Sequence, residues 1–267
     1  MNEQNKRLVL ANTVTLILML IANFAASSGI LSSVTVGDIS HKYDTLFAPA
    51  GYAFIIWSVI FLLTIGFVVY QWRLLKNGDE KHYINRTGYW FALSNIANTL
   101  WLYCWINEML TLSVILILVL LASLCVLTVR LGLELNDEPV FTILFVWWPI
   151  TFYLGWMMVA TIACISAWLV AIGWRGGAPG ETIWTIIMIA VSTIIYFWLV
   201  IKRNLREAAA VGIWAFIAIA VRQWKLHSDI ATVAIIAALI LLIVTGIHGY
   251  KNRYYSPFSK IKRGELK

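Results

Sequence analysis

The spacing of the charges narrows the fold of this chain more than any other feature. Stretches of about 20 residues pass with no ionisable side chain in their middles. A hydrocarbon layer about 30 Å thick needs about 20 apolar residues at about 1.5 Å each. Eight runs approach or exceed that length, at roughly 8–31, 51–72, 88–106, 111–131, 141–168, 182–201, 207–221 and 229–248. The composition agrees: 61% of the 267 residues are hydrophobic and 12% charged, against about 45–50% and about 25% in soluble domains. Lipid can solvate that much apolar surface; a soluble core of this size cannot enclose it. Strands are disfavoured, because an open sheet edge in lipid leaves backbone groups unpaired, and the runs are about twice the length of a barrel strand. The expectation is an all-α integral membrane protein with about eight transmembrane helices, the fifth tilted or kinked near Pro149.

Lysine and arginine in the connections set the orientation. With the N-terminus inside, the inner segments hold 16 of the 20 basic residues: Lys6, Arg7, Arg73, Lys76, Lys81, Arg86, Arg130, Lys202, Arg203, Arg206, Lys251, Arg253, Lys260, Lys262, Arg263 and Lys267. The outer loops hold Lys42, Arg175, Arg222 and Lys225. A miscounted span would mix the two sets, so the split supports the count as well as the direction. Both termini are therefore expected in the cytoplasm, in a bacterial cell membrane. The net charge of +7 is read as inner-leaflet attraction of the tail from Lys251 to Lys267, at about 1 kcal/mol per basic residue near the surface, with no nucleic-acid partner. The first run follows Lys6 and Arg7 and ends in Ala25, Ala26 and Ser27, the outline of a signal peptide. It exceeds the usual h-region of about 7–15 residues and is read as retained. Its cleavage would leave the remaining topology unchanged.

The spans lack the groups that most membrane chemistry needs. Intramembrane charges mark ion paths and proton relays, yet Glu108, Glu134, Glu207, Arg222 and His248 all fall near span ends. No mid-helix lysine could hold retinal. His41, His82, His227 and His248 lie in or near loops; a pair could ligate haem iron, but interfacial polar residues are the preferred reading. Cys104, Cys125 and Cys164 share no ligand spacing and read as buried free thiols. No catalytic or metal motif is present, so no catalytic or metal-binding residue is assigned.

Aromatic residues are abundant: 14 Trp, 11 Tyr and 12 Phe. Trp72, Trp174, Trp184, Trp198 and Trp224 fit an interfacial belt. Others lie deeper. At about 1.5 Å per residue, Trp57 falls roughly 9 Å below the outer end of its span, Trp101 roughly 8 Å and Trp156 roughly 18 Å. Asn98 lies one turn from Trp101 on the same face, and Tyr153 one turn from Trp156. An asparagine in a membrane helix wants a partner, from a neighbouring helix or a ligand. Helix packing alone could account for any one of these rings. As a set they suit a flat, mostly apolar ligand with a few polar groups.

The segment from Leu46 through Pro49, Phe54 and Trp57 resembles the loop-to-helix signature of the TspO/MBR family, the tryptophan-rich sensory proteins related to the translocator protein. Asn98-Thr99-Leu100-Trp101 is similar to that family's Asn-x-x-Trp on the third helix. Tyr153-Leu154-Gly155-Trp156, followed by Ala160, is similar to its fifth-helix pattern. The resemblance covers about residues 8–170. It implies a five-helix bundle over residues 1–172 that binds porphyrins or other flat or sterol-like molecules, carotenoid-like ones included. Residues 173–267 then form a three-helix extension with a basic tail, beyond the Gly173–Gly180 loop. By resemblance, the first outer loop caps the pocket. Pro49 and Phe54 shape the cap, Trp57, Trp101 and Trp156 are stacking surfaces, and Asn98 and Tyr153 make polar contacts. Four details depart from the family pattern: Ala48 precedes Pro49 where two prolines are usual, Phe54 precedes Trp57 by three residues instead of four, Phe152 occupies the usual proline position, and Cys164 replaces an asparagine.

The function expected is a receptor or sensor for a porphyrin-like or haem-like ligand, with no required cofactor. The alternative is a carrier of small hydrophobic or amphipathic solutes. An enzyme, such as the light-dependent porphyrin breakdown proposed in the family, lacks a visible acid–base pair here. A homodimer is left open.

Overall fold

The computed structural model describes residues 3–29, 34–79 and 81–266. Lys267 and the end of the first apolar run, residues 30 and 31, lie outside them. Helices cover all eight apolar runs. In chain order they are α1 (Glu3–Ser27), the short α2 (Val36–Lys42), a 3₁₀ turn (Gly51–Ile55) leading into α3 (Ile56–Asn77), and the short α4 (Tyr83–Thr87). Then come α5 (Trp90–Ile106), α6 (Leu110–Leu131), α7 (Val140–Thr142), a π-helical turn (Ile143–Trp147) and α8 (Trp148–Ala171). The remainder is α9 (Gly180–Arg203), α10 (Arg206–Gln223), α11 (Ser228–Lys251), a 3₁₀ turn (Arg253–Tyr255) and α12 (Pro257–Lys262).

Among the described residues, six helical segments are long and apolar enough to cross a membrane: α1, the 3₁₀ turn with α3, α6, the rod from Val140 to Ala171, α9 and α11. The other two long helices differ for physical reasons. α5 has only 17 residues, about 26 Å at about 1.5 Å each. α10 carries Arg206, Glu207 and Arg222 within its span. Side chains such as Phe24, Leu62, Val129, Ile194 and Ile243 are more than half exposed, which water would not tolerate on this scale and lipid does. The chain is an all-α membrane protein.

The irregularity expected at Pro149 lies just before it. Proline has no N–H to give to the carbonyl four residues back and crowds that turn. The helix widens over Ile143–Trp147 and resumes the α form at Trp148. One cysteine departs from expectation: Cys104 and Cys164 are buried, but Cys125 is exposed on α6. It faces away from the bundle, where an apolar thiol costs nothing in lipid.

α1 packs on α3 and α5, α5 on α6, and α6 on α8; α10 bridges from α8 to α9 and α11. One apolar cluster runs through both parts of the chain, from Leu16 to Leu241. At the α8–α10 contact the two backbones approach closely. A β-carbon on Gly155 would lie 2.9 Å from both the Cα and the carbonyl oxygen of Ala208. The Tyr196 hydroxyl of α9 donates to the Gly155 carbonyl at 2.7 Å. Small residues allow such approach where no hydrophobic effect drives helices together.

Polar side chains tie α1 to α3 and α5. Asn12 donates to Gln71 at 3.1 Å, Asn95 to Thr15 at 3.3 Å and Asn23 to Asn98 at 3.0 Å. Such bonds contribute about 0.6 kcal/mol each in membranes. The segment after α6 and the tail meet at the end of the bundle that holds both termini. There Glu265 and Leu266 carbonyls accept from the Val140 and Phe141 amides, each at 3.3 Å.

Gly155→Ala is expected to cost about 1–3 kcal/mol through overpacking against backbone that cannot yield. Gly246→Ala in α11, whose β-carbon would meet nothing within 4 Å, is expected to be neutral or stabilising by up to about 1 kcal/mol. Thermal unfolding of both variants in detergent checks the contrast.

Candidate functional site

The site lies at the end of the bundle opposite the termini, under the segment joining α2 to α3. Chain geometry carries Pro49 and Phe54 over the mouth, Trp57 in from α3, Trp101 and Trp105 from α5, and Trp156 and Cys164 from α8. All seven line one cavity of ≈ 40 Å³. Trp57 is the hub. Its ring meets Trp156 edge-on at 6.5 Å, Tyr153 edge-on at 5.8 Å, and stacks on Phe61 at 5.3 Å. Phe54 meets Trp156 edge-on at 5.9 Å. Trp101 and Trp105 stack at 5.8 Å. Each pair is worth about 0.5–1.5 kcal/mol beyond its area, so the rings hold one another in place.

The polar atoms around this cavity are sparse. Trp156 Nε1 is buried without a hydrogen-bond partner. Trp101 Nε1 lies near the Cys164 thiol without a well-aligned hydrogen bond. Trp105 Nε1 donates to the Val36 carbonyl at 3.1 Å and so ties α2 to α5. A second cavity of ≈ 390 Å³ adjoins the first, lined by Asn23, Ser58 and Phe61 and sharing Val36, Phe54, Trp57 and Trp101. The three shared rings border both spaces.

Five of the seven residues singled out from the sequence, Pro49, Phe54, Trp57, Trp101 and Trp156, line the first cavity. Asn98 and Tyr153 stand behind its wall. Asn98 Oδ1 is taken by Asn23. Tyr153 is fully buried; its hydroxyl lies 3.8 Å from Met19 Sδ and close to the Asn98 amide, without a well-aligned bond between them.

The segment over the cavity is held from two sides. On one, Glu108 accepts from Lys42 Nζ and from the Tyr43 hydroxyl, each at 2.7 Å. Lys42, and then Tyr43, hold the Glu108 carboxyl below its usual range. On the other, α10 supplies the partners. The Ala50 amide donates to the Ala218 carbonyl at 3.1 Å, Trp214 Nε1 to the Ala53 carbonyl at 3.1 Å, and Gln223 Nε2 to the Leu46 carbonyl at 2.9 Å. Arg222 pairs with Asp44, and Trp214 packs edge-on against Tyr52 at 5.4 Å. These α10 residues escaped sequence reasoning. Only Arg222 stood out, as a charge near a span end, and the partners of Arg222 and Gln223 lie 178 and 177 residues away in sequence.

A model of the TSPO-like protein family matches residues 9–247, or 239 of 267 residues. The chain belongs to the TSPO-like family. The match runs from α1 into α11, so it includes the helix that holds the cap of this TSPO-like chain as well as the aromatic site. No curated protein and no solved structure matches the chain.

Removing the α10 bonds should loosen the cap and little else. Trp214→Phe keeps the ring and removes the bond to Ala53; Gln223→Leu removes the bond to Leu46. At about 0.6 kcal/mol each, the double variant should exchange the Ala50 and Ala53 amides several-fold faster, with the melting temperature shifted little. The Glu108 clamp should let go only in acid. Its folded-state carboxyl titrates below the free value, so its contribution is intact above about pH 4 and is lost as pH falls through the lowered value. Hydrogen exchange of residues 36–43 against pH reads this directly.

Proposed function

We propose that this TSPO-like protein is a membrane receptor for a flat, hydrophobic ligand of the tetrapyrrole, sterol or carotenoid class, held among Trp57, Trp101 and Trp156. The observation that carries the reading is the convergence of these indoles, from three different helices, on one cavity where the Trp156 N–H lacks a partner. A planar ligand offers rings to the indole faces and an acceptor to that donor. Asn98 and Tyr153 serve as the layer beneath, with Tyr153 steadying Trp57 from below.

The cavity of ≈ 40 Å³ admits only a few water molecules. A tetrapyrrole therefore requires the shared rings of Phe54, Trp57 and Trp101 to swing and join it to the adjoining space of ≈ 390 Å³. Ligand binding in this reading is coupled to ring rotation under a cap clamped by Glu108 and α10. All eight long helices cross the membrane, with α5 and α10 completed by the flanking polar ends, and both termini face the cytoplasm of a bacterial cell. Residues 1–172 hold the ligand, and residues 173–267 hold its cap.

A carrier of small amphipathic solutes is the second reading, favoured by the amides along the α1–α3–α5 seam. Asn12, Gln71 and Asn95 each keep one buried amide atom unpaired, so a polar solute could be handed along them. Flux into liposomes separates the readings, because a receptor shows saturable binding without transport.

Trp156→Ala should weaken porphyrin-induced tryptophan quenching several-fold while leaving the helix content intact. Unchanged affinity would remove Trp156 from the site.

A further inference from the structure

At the opposite end of the bundle from the aromatic site, a polar cavity of ≈ 290 Å³ lies between the segment after α6, the π-helical turn, the start of α10 and the tail. Its walls include Glu134, Trp147 and Tyr255, with the amides of Asn136, Asn204 and Asn252. Arg206 also lines the cavity, with its Nε buried and without a hydrogen-bond partner, and two further groups are unusual. Glu134 is only 8% exposed, and its Oε1 has no hydrogen-bond partner. Trp147 is 3% exposed, and its Nε1 has none. A buried acceptor and a buried donor, both unpaired, on one cavity are costly unless something occupies it.

The charges around the cavity do not balance. Lys260 is paired with Asp137 and Lys81 with Glu138. That leaves the carboxylates Glu134 and Glu207 facing the single guanidinium of Arg206. Glu207 Oε2 is also buried and unpaired. With both carboxyls ionised the site is one positive charge short, and in the empty site a proton on this carboxyl pair makes up the difference. Among the described residues no group of three or more His, Cys, Asp or Glu side chains is placed to hold a metal ion, and the volume far exceeds what a bare ion fills.

We propose that this cavity binds a small organic ammonium that also carries a neutral acceptor, such as an amino alcohol. The ammonium N–H groups donate to Glu134 Oε1, the positive charge takes the place of the proton held by the empty site, and the hydroxyl accepts from Trp147 Nε1. Tyr255, half exposed at the rim, offers an aromatic face to the cation. The asparagines satisfy the remaining donors. Burial, with the like charge of Glu207 beside it, pushes the Glu134 carboxyl well above the usual carboxylate range in the empty site, and Arg206 opposes this in part. An arriving ammonium therefore displaces a proton. Affinity rises as pH rises through the raised value and falls below it. Other titratable groups near the site are His248, on α11 beside Arg206, the paired Lys81, Asp137, Glu138 and Lys260, and Glu265, which pairs with both Lys260 and Arg263.

The test is calorimetric titration of the full chain in detergent with 2-aminoethanol, in two amine-free buffers of different ionisation enthalpy. The expected result is saturable binding with proton release, at least tenfold weaker for uncharged 1,2-ethanediol and at least tenfold weaker in Glu134→Gln. Tyr255→Ala, at the rim, should weaken it a few-fold. Absence of saturable heat, equal binding of ethanediol, or unchanged binding in Glu134→Gln overturns the proposal and leaves a water-filled cavity. The comparison of charged and neutral probes on the unmodified protein decides the matter even if Glu134→Gln does not fold. Nanodiscs of phosphatidylglycerol with and without phosphatidylethanolamine identify the source of the ammonium. Lower affinity for free 2-aminoethanol in the presence of phosphatidylethanolamine means a lipid headgroup reaches the same site; equal affinity assigns it to a free amine.

Discussion

Backbone that is not helical has few places to go in a membrane protein, because lipid offers it no hydrogen-bond partners. The stretch between α2 and α3 is such backbone, and the aromatic cavity depends on where it rests. Three contacts from α10, to Leu46, Ala50 and Ala53, supply what neither water nor a neighbouring strand provides. α10 can reach those atoms because it lies hard against α8, with Ala208 filling the space that a side chain at position 155 would take. Close helix approach at one level therefore sets the cap at another. The last three long helices are in this sense part of the site, although none of their side chains lines the cavity among the tryptophans.

The rings themselves form a second, local constraint. Edge-on and stacked contacts link Phe54, Trp57, Phe61, Tyr153 and Trp156 into one array. An array of this kind resists small shifts, and a ring in it moves, if at all, between discrete staggered rotamers. A small cavity beside a larger one, with Phe54, Trp57 and Trp101 bordering both, is the geometry that the proposed ring rotation requires.

The two ends of the bundle differ in chemistry. The aromatic end keeps charge at its rim, in the Lys42–Glu108 and Asp44–Arg222 pairs. The end with the termini draws carboxylates inward, and Glu134 is buried where the segment after α6 folds back beneath α10. Between them, amide side chains thread the seam of α1, α3 and α5. Each is partly satisfied by a neighbour and partly not, which fits helices that pack closely yet retain polar character inside the membrane.

The helical architecture was legible from residue order alone, because a long apolar run bounded by charges has few stable alternatives in lipid. The order of the Trp, Asn and Tyr signatures on the second, third and fifth runs likewise pointed to the family and to five residues that line the cavity. Tertiary structure alone decided that Asn98 bonds to Asn23 and that Tyr153 supports Trp57 from behind, because each partner comes from another helix whose rotation no local pattern encodes. It decided also that Cys125 faces outward, since α6 is apolar all round and periodicity could not pick its buried face. The role of α10 was invisible for a further reason. Apart from Asp44 and the Tyr52 ring, its partners are main-chain carbonyls and an amide, which nearly every residue carries, so only the path of the chain through space determines which of them it meets.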